Sequence, residues 1–120
     1  MPTFWKGTLA DGTIESEIIP ALAGLGLPVL RKWTYDAFYG TALETKLRRA
    51  RIEWLVIAGV MTDLCCETTA RSAFIRGYSP IMVADASATT TQDLHVSALR
   101  TMAHGIAEIR TTSDLLAALK

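Results

Sequence analysis

Cys65 and Cys66 are the only two thiols in a chain of 120 residues, and they are adjacent. They lie in Gly59-Val-Met-Thr-Asp-Leu-Cys-Cys-Glu-Thr-Thr-Ala70, directly after the apolar run Trp-Leu-Val-Ile-Ala-Gly-Val at 54–60. A bridge between neighbouring residues closes only a tiny, strained loop, so a disulfide is a poor use for them. Nucleophilic chemistry is the alternative, because a thiolate forms where a cation or unpaired N–H groups stabilise it. If a helix starts at Asp63, both cysteines fall in its first turn and point about 100° apart. Cys66 then lines up with Ala70, Ala73, Phe74 and Gly77, a packing face on which it reads as a small buried hydrophobe. Cys65 lines up with Thr69, Ser72 and Arg76, a more polar set. Orphan N–H groups and the positive end of the helix dipole favour an anion at Cys65, and the same N–H groups suit an oxyanion. Lys32, at the end of the preceding strand-like stretch, is a candidate cation for the same edge. The residues alone leave both open: a helix-start cysteine can simply pack, and a lysine can simply be solvated.

From residue 28 onward, strand-like and helix-like segments alternate. Strands are predicted over 28–32, 54–60, 80–84 and 107–110, and helices over 41–51, 63–76, 91–104 and 113–120. Asp63 is expected to cap the 63–76 helix and Gly77 to stop it. Gly105 is expected to end the 91–104 helix, and Ser113 to cap the last one. Leu43, Leu47 and Ala50 share one face of the 41–51 helix. The unbroken apolar run at 54–60 is the pattern of a strand covered on both faces. Such alternation implies an α/β fold with a parallel sheet. Its ligands bind beyond the carboxyl ends of the strands, the edge at which Cys65 would sit. The first 27 residues are different, carrying Pro2, Gly7, Gly12, Pro20, Gly24 and Gly26. They read as loop with one helical turn near 18–22, and no opening buried strand is visible.

Half of the residues are hydrophobic, and 12 Lys+Arg balance 12 Asp+Glu. That balance argues against a nucleic-acid surface or a charged tail. The apolar runs are far too short to span a membrane, and no segment has the make-up of a signal peptide. Free thiols fit a reducing cytoplasm. The length suits one domain, 1–120, with a real core. No G-x-G-x-x-G or G-x-x-x-x-G-K is present, so no phosphate loop, and no cofactor, is expected. His95 and His104 match no metal motif; no metal is expected, and His95 should face solvent or pack at a helix start.

Three stretches together resemble the isochorismatase-like cysteine hydrolases: KWTYDAFYGTALETKL at 32–47, LVIAGVMTDLCCETTARSAF at 55–74 and GYSPIMVADASATTTQDLH at 77–95. The most specific part is G-V-x-T-x-x-C-x-E-x-T-A-R-x-A. The earlier WKGTLADGTIESEIIPAL is similar to the family's W-x-x-G-T-x-x-x-G stretch. The resemblance implies a three-layer α/β/α, Rossmann-like parallel sheet and a triad of Asp, Lys and Cys. Lys32 takes the lysine place and Cys65 the nucleophile place. It further implies a cis peptide between Val60 and Met61, an oxyanion hole from the N–H groups of Met61 and Cys65, and substrate-side aromatics at Trp5, Trp33 and Phe38. The implied reaction is thiolate attack on a carbonyl, an acyl-enzyme, then hydrolysis. Family members that act on isochorismate carry glycine at the place of Cys65, so a small amide or ureide is the preferred substrate class. KWTYDAF and SPIMVADA nevertheless look closest to the isochorismatase branch.

The family's aspartate lies in a V-x-D-x-Q-x-x-F pattern that this sequence does not contain, and Asp11 does not match it. The chain thus reads as N-terminally truncated relative to the family, without its first two strands. A family member that binds or oligomerises without catalysis is the alternative function, and a generic small-molecule-binding α/β module a third. The strand at 54–60 would be an exposed apolar edge. Either the 28–32 strand moves beside it, or two copies pair; a homo-oligomer is the expectation.

Overall fold

The structure is a computed structural model and describes residues 9–120, so Trp5 lies outside the described residues. The chain divides into two compact units at Arg31/Lys32. In the first, the described residues form a short turn at Ile14–Ser16 and a one-turn helix α1, Pro20–Ala23, with proline at its first position. None of them is buried, and Arg31 pairs with Asp11 at 2.7 Å. The predicted strand at 28–32 does not form: these residues have no ladder partner and no regular structure. A strand exists only through its hydrogen-bonded neighbour, and none of the described strands supplies one.

In the second unit an irregular segment, 32–42, leads to helix α2, Leu43–Arg49, which lays Leu43 and Leu47 on Phe38 and Tyr78 while Ala50 stays exposed. Strand β1, Trp54–Val60, follows, then a π-turn at Thr62–Cys66 and helix α3, Glu67–Ile75. Strand β2 is Ser79–Ala88, helix α4 Gln92–Gly105, strand β3 Glu108–Arg110 and helix α5 Thr112–Ala118. The sheet order is β1-β2-β3 and both pairings are parallel. Cys66, Ala70, Met82, Ala98 and Met102 form the main core, with Ile57 and Ile109 against it, so α3 and α4 cover one sheet face. On the other face α5 borders an apolar groove of about 570 Å³ with Trp54, Val56, Ile81 and Val83. The three layers expected from the sequence are present within the second unit, where α5 is the described helix of the second helical layer.

Several local expectations are corrected. The helix after β1 starts at Glu67 rather than Asp63, because the Met61 carbonyl accepts from both Leu64 N–H (3.2 Å) and Cys66 N–H (3.1 Å). That second, five-residue bond widens the first turn into a π-turn, and Asp63 caps nothing. The last helix is capped by Thr111, not Ser113: Thr111 and Asp114 exchange side-chain-to-backbone bonds in a capping box. β1 is covered on one face only. Trp54, Val56, Ala58 and Val60 are exposed while Leu55, Ile57 and Gly59 are partly buried. The run is apolar throughout, but no described element packs fully over its even-numbered side chains. β1 and β2 lose register between Ile57↔Met82 and Gly59↔Ser87, where β2 carries the surplus residues of a bulge. Phe74, expected to pack, is 48% exposed.

The two helix-ending glycines prove different. Gly77 has φ 86°, and the Gly77 and Tyr78 N–H groups close back onto the Phe74 and Ala73 carbonyls, a left-handed stop that suits glycine. Gly105 has no positive φ, lies inside α4 in open space, and the helix ends on Ile106. Gly77→Ala should therefore destabilise the fold by about 1–2 kcal/mol. Gly105→Ala should stabilise it by about 0.5 kcal/mol. Urea unfolding of both variants checks the pair; equal effects would contradict this account of the two ends.

Candidate active site

Val60 ends β1, and the Val60–Met61 peptide is cis. The π-turn that follows carries Cys65 and Cys66 at the carboxyl edge of the sheet. Cys66 is 5% exposed and points into the core with Ala70 and Met102, as its spacing requires. Cys65 is half-buried, and Lys32 Nζ lies 3.7 Å from its Sγ while also donating to the Thr34 carbonyl at 2.9 Å. The two candidate chemical groups named from the sequence are thus side by side, although Lys32 stands on an irregular segment and not on a strand.

What holds Lys32 there is the polar face of α3. Thr69 Oγ1 donates to the Tyr35 carbonyl (3.2 Å) and accepts from Ala37 N–H (3.1 Å). Ser72 Oγ donates to Asp36 Oδ2 at 2.7 Å. The other oxygen of Asp36 accepts from Phe38 N–H at 2.8 Å, an Asx-type turn. Phe38 is buried against Ala73 and stacked on Tyr78 at 5.8 Å, with the Arg76 guanidinium over its ring at 4.9 Å. Arg76 in turn bonds the Ser72 carbonyl and hydroxyl. Thr69, Ser72 and Arg76 are the residues that share a helix face with Cys65, so one face both presents the thiol and pins the segment after Lys32. Asp36, central to this clamp, carried no local signal of its role beyond being a turn-forming aspartate.

Of the expected substrate-side aromatics, Phe38 is a packing residue and Trp33 is 64% exposed, one residue after Lys32. An open pocket of about 350 Å³ lies beside them, lined by Thr34, Tyr35, Asp36, Tyr39 and Thr68. Asp11 is engaged with Arg31 in the first unit. No carboxylate among the described residues hydrogen-bonds Lys32 or Cys65. Asp63, two residues before Cys65, has a buried Oδ1 without a hydrogen-bond partner. His95, near the start of α4, is partly buried and bonds Thr62.

Burial pushes the Cys66 thiol up to about 11 from an ordinary 9.0, reinforced by the neighbouring Cys65 and by Asp63 and opposed by Lys32. Desolvation disfavours the charged form, so Cys66 stays a neutral thiol where enzymes work.

Residues 2–114 match the isochorismatase domain family. The chain belongs to that family. It is 41% identical over 102 residues to Nicotinamidase 3 of Arabidopsis thaliana, covering 82% of this chain and 52% of that protein. It is 40% identical over 87 residues to ureidoacrylate amidohydrolase RutB of Methylorubrum extorquens, covering 72% of this chain and 35% of that one. A cysteine hydrolase structure from Pseudomonas syringae pv. phaseolicola 1448A superposes with TM-score 0.84 at 30% identity, over 90% of this chain and 56% of that one. The isochorismatase-family chain thus spans about half the length of the first of these relatives. No helix among its described residues is long and apolar enough to cross a membrane.

Brief alkylation at pH 8, mapped by peptide mass spectrometry, should modify Cys65 well before Cys66. Cys66 labelling should rise only as pH passes 9.0 toward about 11. The sign for stability follows from the raised value: the contribution of the buried neutral thiol is full below 9.0 and is lost as pH climbs through about 11. Faster labelling at Cys66 at pH 8 would overturn the assignment.

Proposed function

We propose that this family member is a cysteine hydrolase of small amide or ureide substrates, with 1–120 belonging to a single, partial hydrolase domain. The observation that carries the proposal is the 3.7 Å approach of Lys32 Nζ to Cys65 Sγ. It is supported by the amide-hydrolase names of two relatives and by the retention of cysteine at position 65. The sulfur attacks the carbonyl carbon, a C–S bond forms, and the carbonyl electron pair moves onto oxygen. The N–H groups of Met61 and Cys65 are the proposed donors to that oxyanion. Collapse restores the carbonyl and breaks the C–N bond, and the amine leaves with the proton that the thiol has lost. Water then attacks the thioester, releasing the acid and returning the thiol. Lys32 holds positive charge beside the sulfur on which negative charge develops. Trp33 walls the substrate, while Phe38 acts by anchoring the 34–41 segment. The two free thiols support a reducing, cytoplasmic setting.

One observation favours a second reading, binding without turnover: no carboxylate among the described residues hydrogen-bonds the thiol or the lysine to relay protons. A screen of nicotinamide, N-carbamoyl compounds, biuret and isochorismate separates the two. On the first reading one amide or ureide is turned over, and Cys65→Ser abolishes turnover with the fold intact. Undiminished activity in Cys65→Ser would reject covalent catalysis, and no turnover together with saturable ligand binding would establish the second reading.

We also propose a homodimer, formed by two β1 edges. The outer edge of β1 is unpaired among the described strands, seven residues long, and without charge or proline. Such an edge invites pairing, and a two-fold antiparallel match about Ile57 sets Trp54 opposite Val60 of the partner subunit, with no charges in conflict. Light scattering at micromolar concentration should give twice the chain mass, and Val56→Lys the single mass. A folded wild-type monomer would refute the dimer.

A further inference from the structure

We propose that His95 is a positioning residue for Cys65, acting through Thr62; this rests on the proposed role of Cys65 as nucleophile. Along α4, His95, Ala98, Leu99, Met102 and Ile106 recur at intervals of three and four and form one face. Ala98 and Met102 are buried in the cluster that contains Cys66, and Leu99 and Ile106 pack against it. His95 is the polar member of this stripe. Its Nδ1 lies 2.8 Å from Thr62 Oγ1, and Thr62 is fully buried. A hydroxyl sealed from water needs a partner, since leaving it unpaired forfeits its hydration without return. His95 supplies that partner in either neutral tautomer, accepting from the hydroxyl or donating to it.

The location gives the bond its consequence. Thr62 is the first residue of the π-turn and Cys66 the last, and α4 holds both: Thr62 by a hydrogen bond, Cys66 by apolar contact. Cys65 lies between these two attachments. With both ends fixed on one helix face, the turn cannot rotate about its own axis, and the Cys65 sulfur stays aimed at Lys32. With Thr62 released, Cys66 alone remains as a pivot. His95 bonds Thr62 and neither Cys65 nor Lys32, so its effect passes through the turn.

The experiment measures iodoacetamide alkylation of Cys65 on the full chain by peptide mass spectrometry, with Cys66 as internal reference and urea unfolding as the control for fold. His95→Phe keeps a ring but removes the nitrogen, Thr62→Val removes the hydroxyl at constant shape, and His95→Asn returns a polar atom near Nδ1. His95→Phe and Thr62→Val should each slow Cys65 relative to Cys66 by about fivefold, the loss of roughly one hydrogen bond. The double variant should be no slower than either, and His95→Asn should recover most of the rate. Lys32→Met should slow Cys65 in the wild-type background and have little further effect in His95→Phe. Unchanged Cys65 rates in folded variants, or equal changes at both cysteines, would overturn the proposal. Should the variants fail to fold, the wild-type chain still decides it: alkylating Cys65 should shift the ring resonances of His95 and not those of His104, and an unmoved His95 overturns it. Wild-type Cys65 reacting no faster than Cys66 would instead count against the nucleophile assignment itself.

Discussion

The arrangement depends on one set of contacts, the hydrogen bonds between the polar face of α3 and the segment that follows Lys32. Thr69 and Ser72 bind the Tyr35 and Ala37 backbone and the Asp36 carboxylate, and Phe38 is buried beneath them. Each such bond contributes only about 1 kcal/mol net, but together they replace what a sheet ladder would give to a strand at 28–32. A lysine on an irregular segment would ordinarily sweep through solvent, with its long stem free to turn. Here two hydrogen bonds from Nζ, to the Thr34 carbonyl and toward Cys65, are made possible because residue 34 onward is already fixed.

The adjacent cysteines divide two tasks that one residue could not perform. Cys66 fills the core between α3, α4 and β2, and its burial keeps it a thiol up to about 11. Cys65 faces the edge beside a cation. Adjacency sets this division, since neighbouring side chains on a helical turn point about 100° apart, and the turn itself is closed by the two hydrogen bonds that the Met61 carbonyl accepts. The main core thus ties together the sheet, the turn and α4, and the site is an outgrowth of that core.

Much of this was legible in the sequence because it depends on short-range periodicity. The strands at 54–60 and near 80–84 and 107–110, the helices between them, and the different faces of Cys65 and Cys66 all follow from spacing of two, three or four residues. The pairing of Lys32 with Cys65 was legible only through the sheet-edge rule and the family resemblance. The rest depends on partners far apart in the chain. The Ser72–Asp36 and Thr62–His95 bonds join residues more than thirty positions apart, and no local pattern announces them. The open face of β1 was missed for a related reason: an unbroken apolar run looks the same whether one face or both are covered. The start of α3 was misplaced because an aspartate at the right spacing signals a cap only if the first turn is α-helical.

The central claim is that this chain's own residues hold Lys32 against Cys65 without a strand beneath the lysine. A short amine-to-thiol crosslinker applied to the full chain, with the linked peptides mapped by mass spectrometry, tests it most directly. The account predicts Lys32–Cys65 as the dominant link within one chain, and its marked loss in Ser72→Ala and Asp36→Ala, which release the clamp but leave both reacting groups in place. A dominant link from Cys65 to Lys6, Lys46 or Lys120, or a Lys32–Cys65 link indifferent to both substitutions, would contradict it.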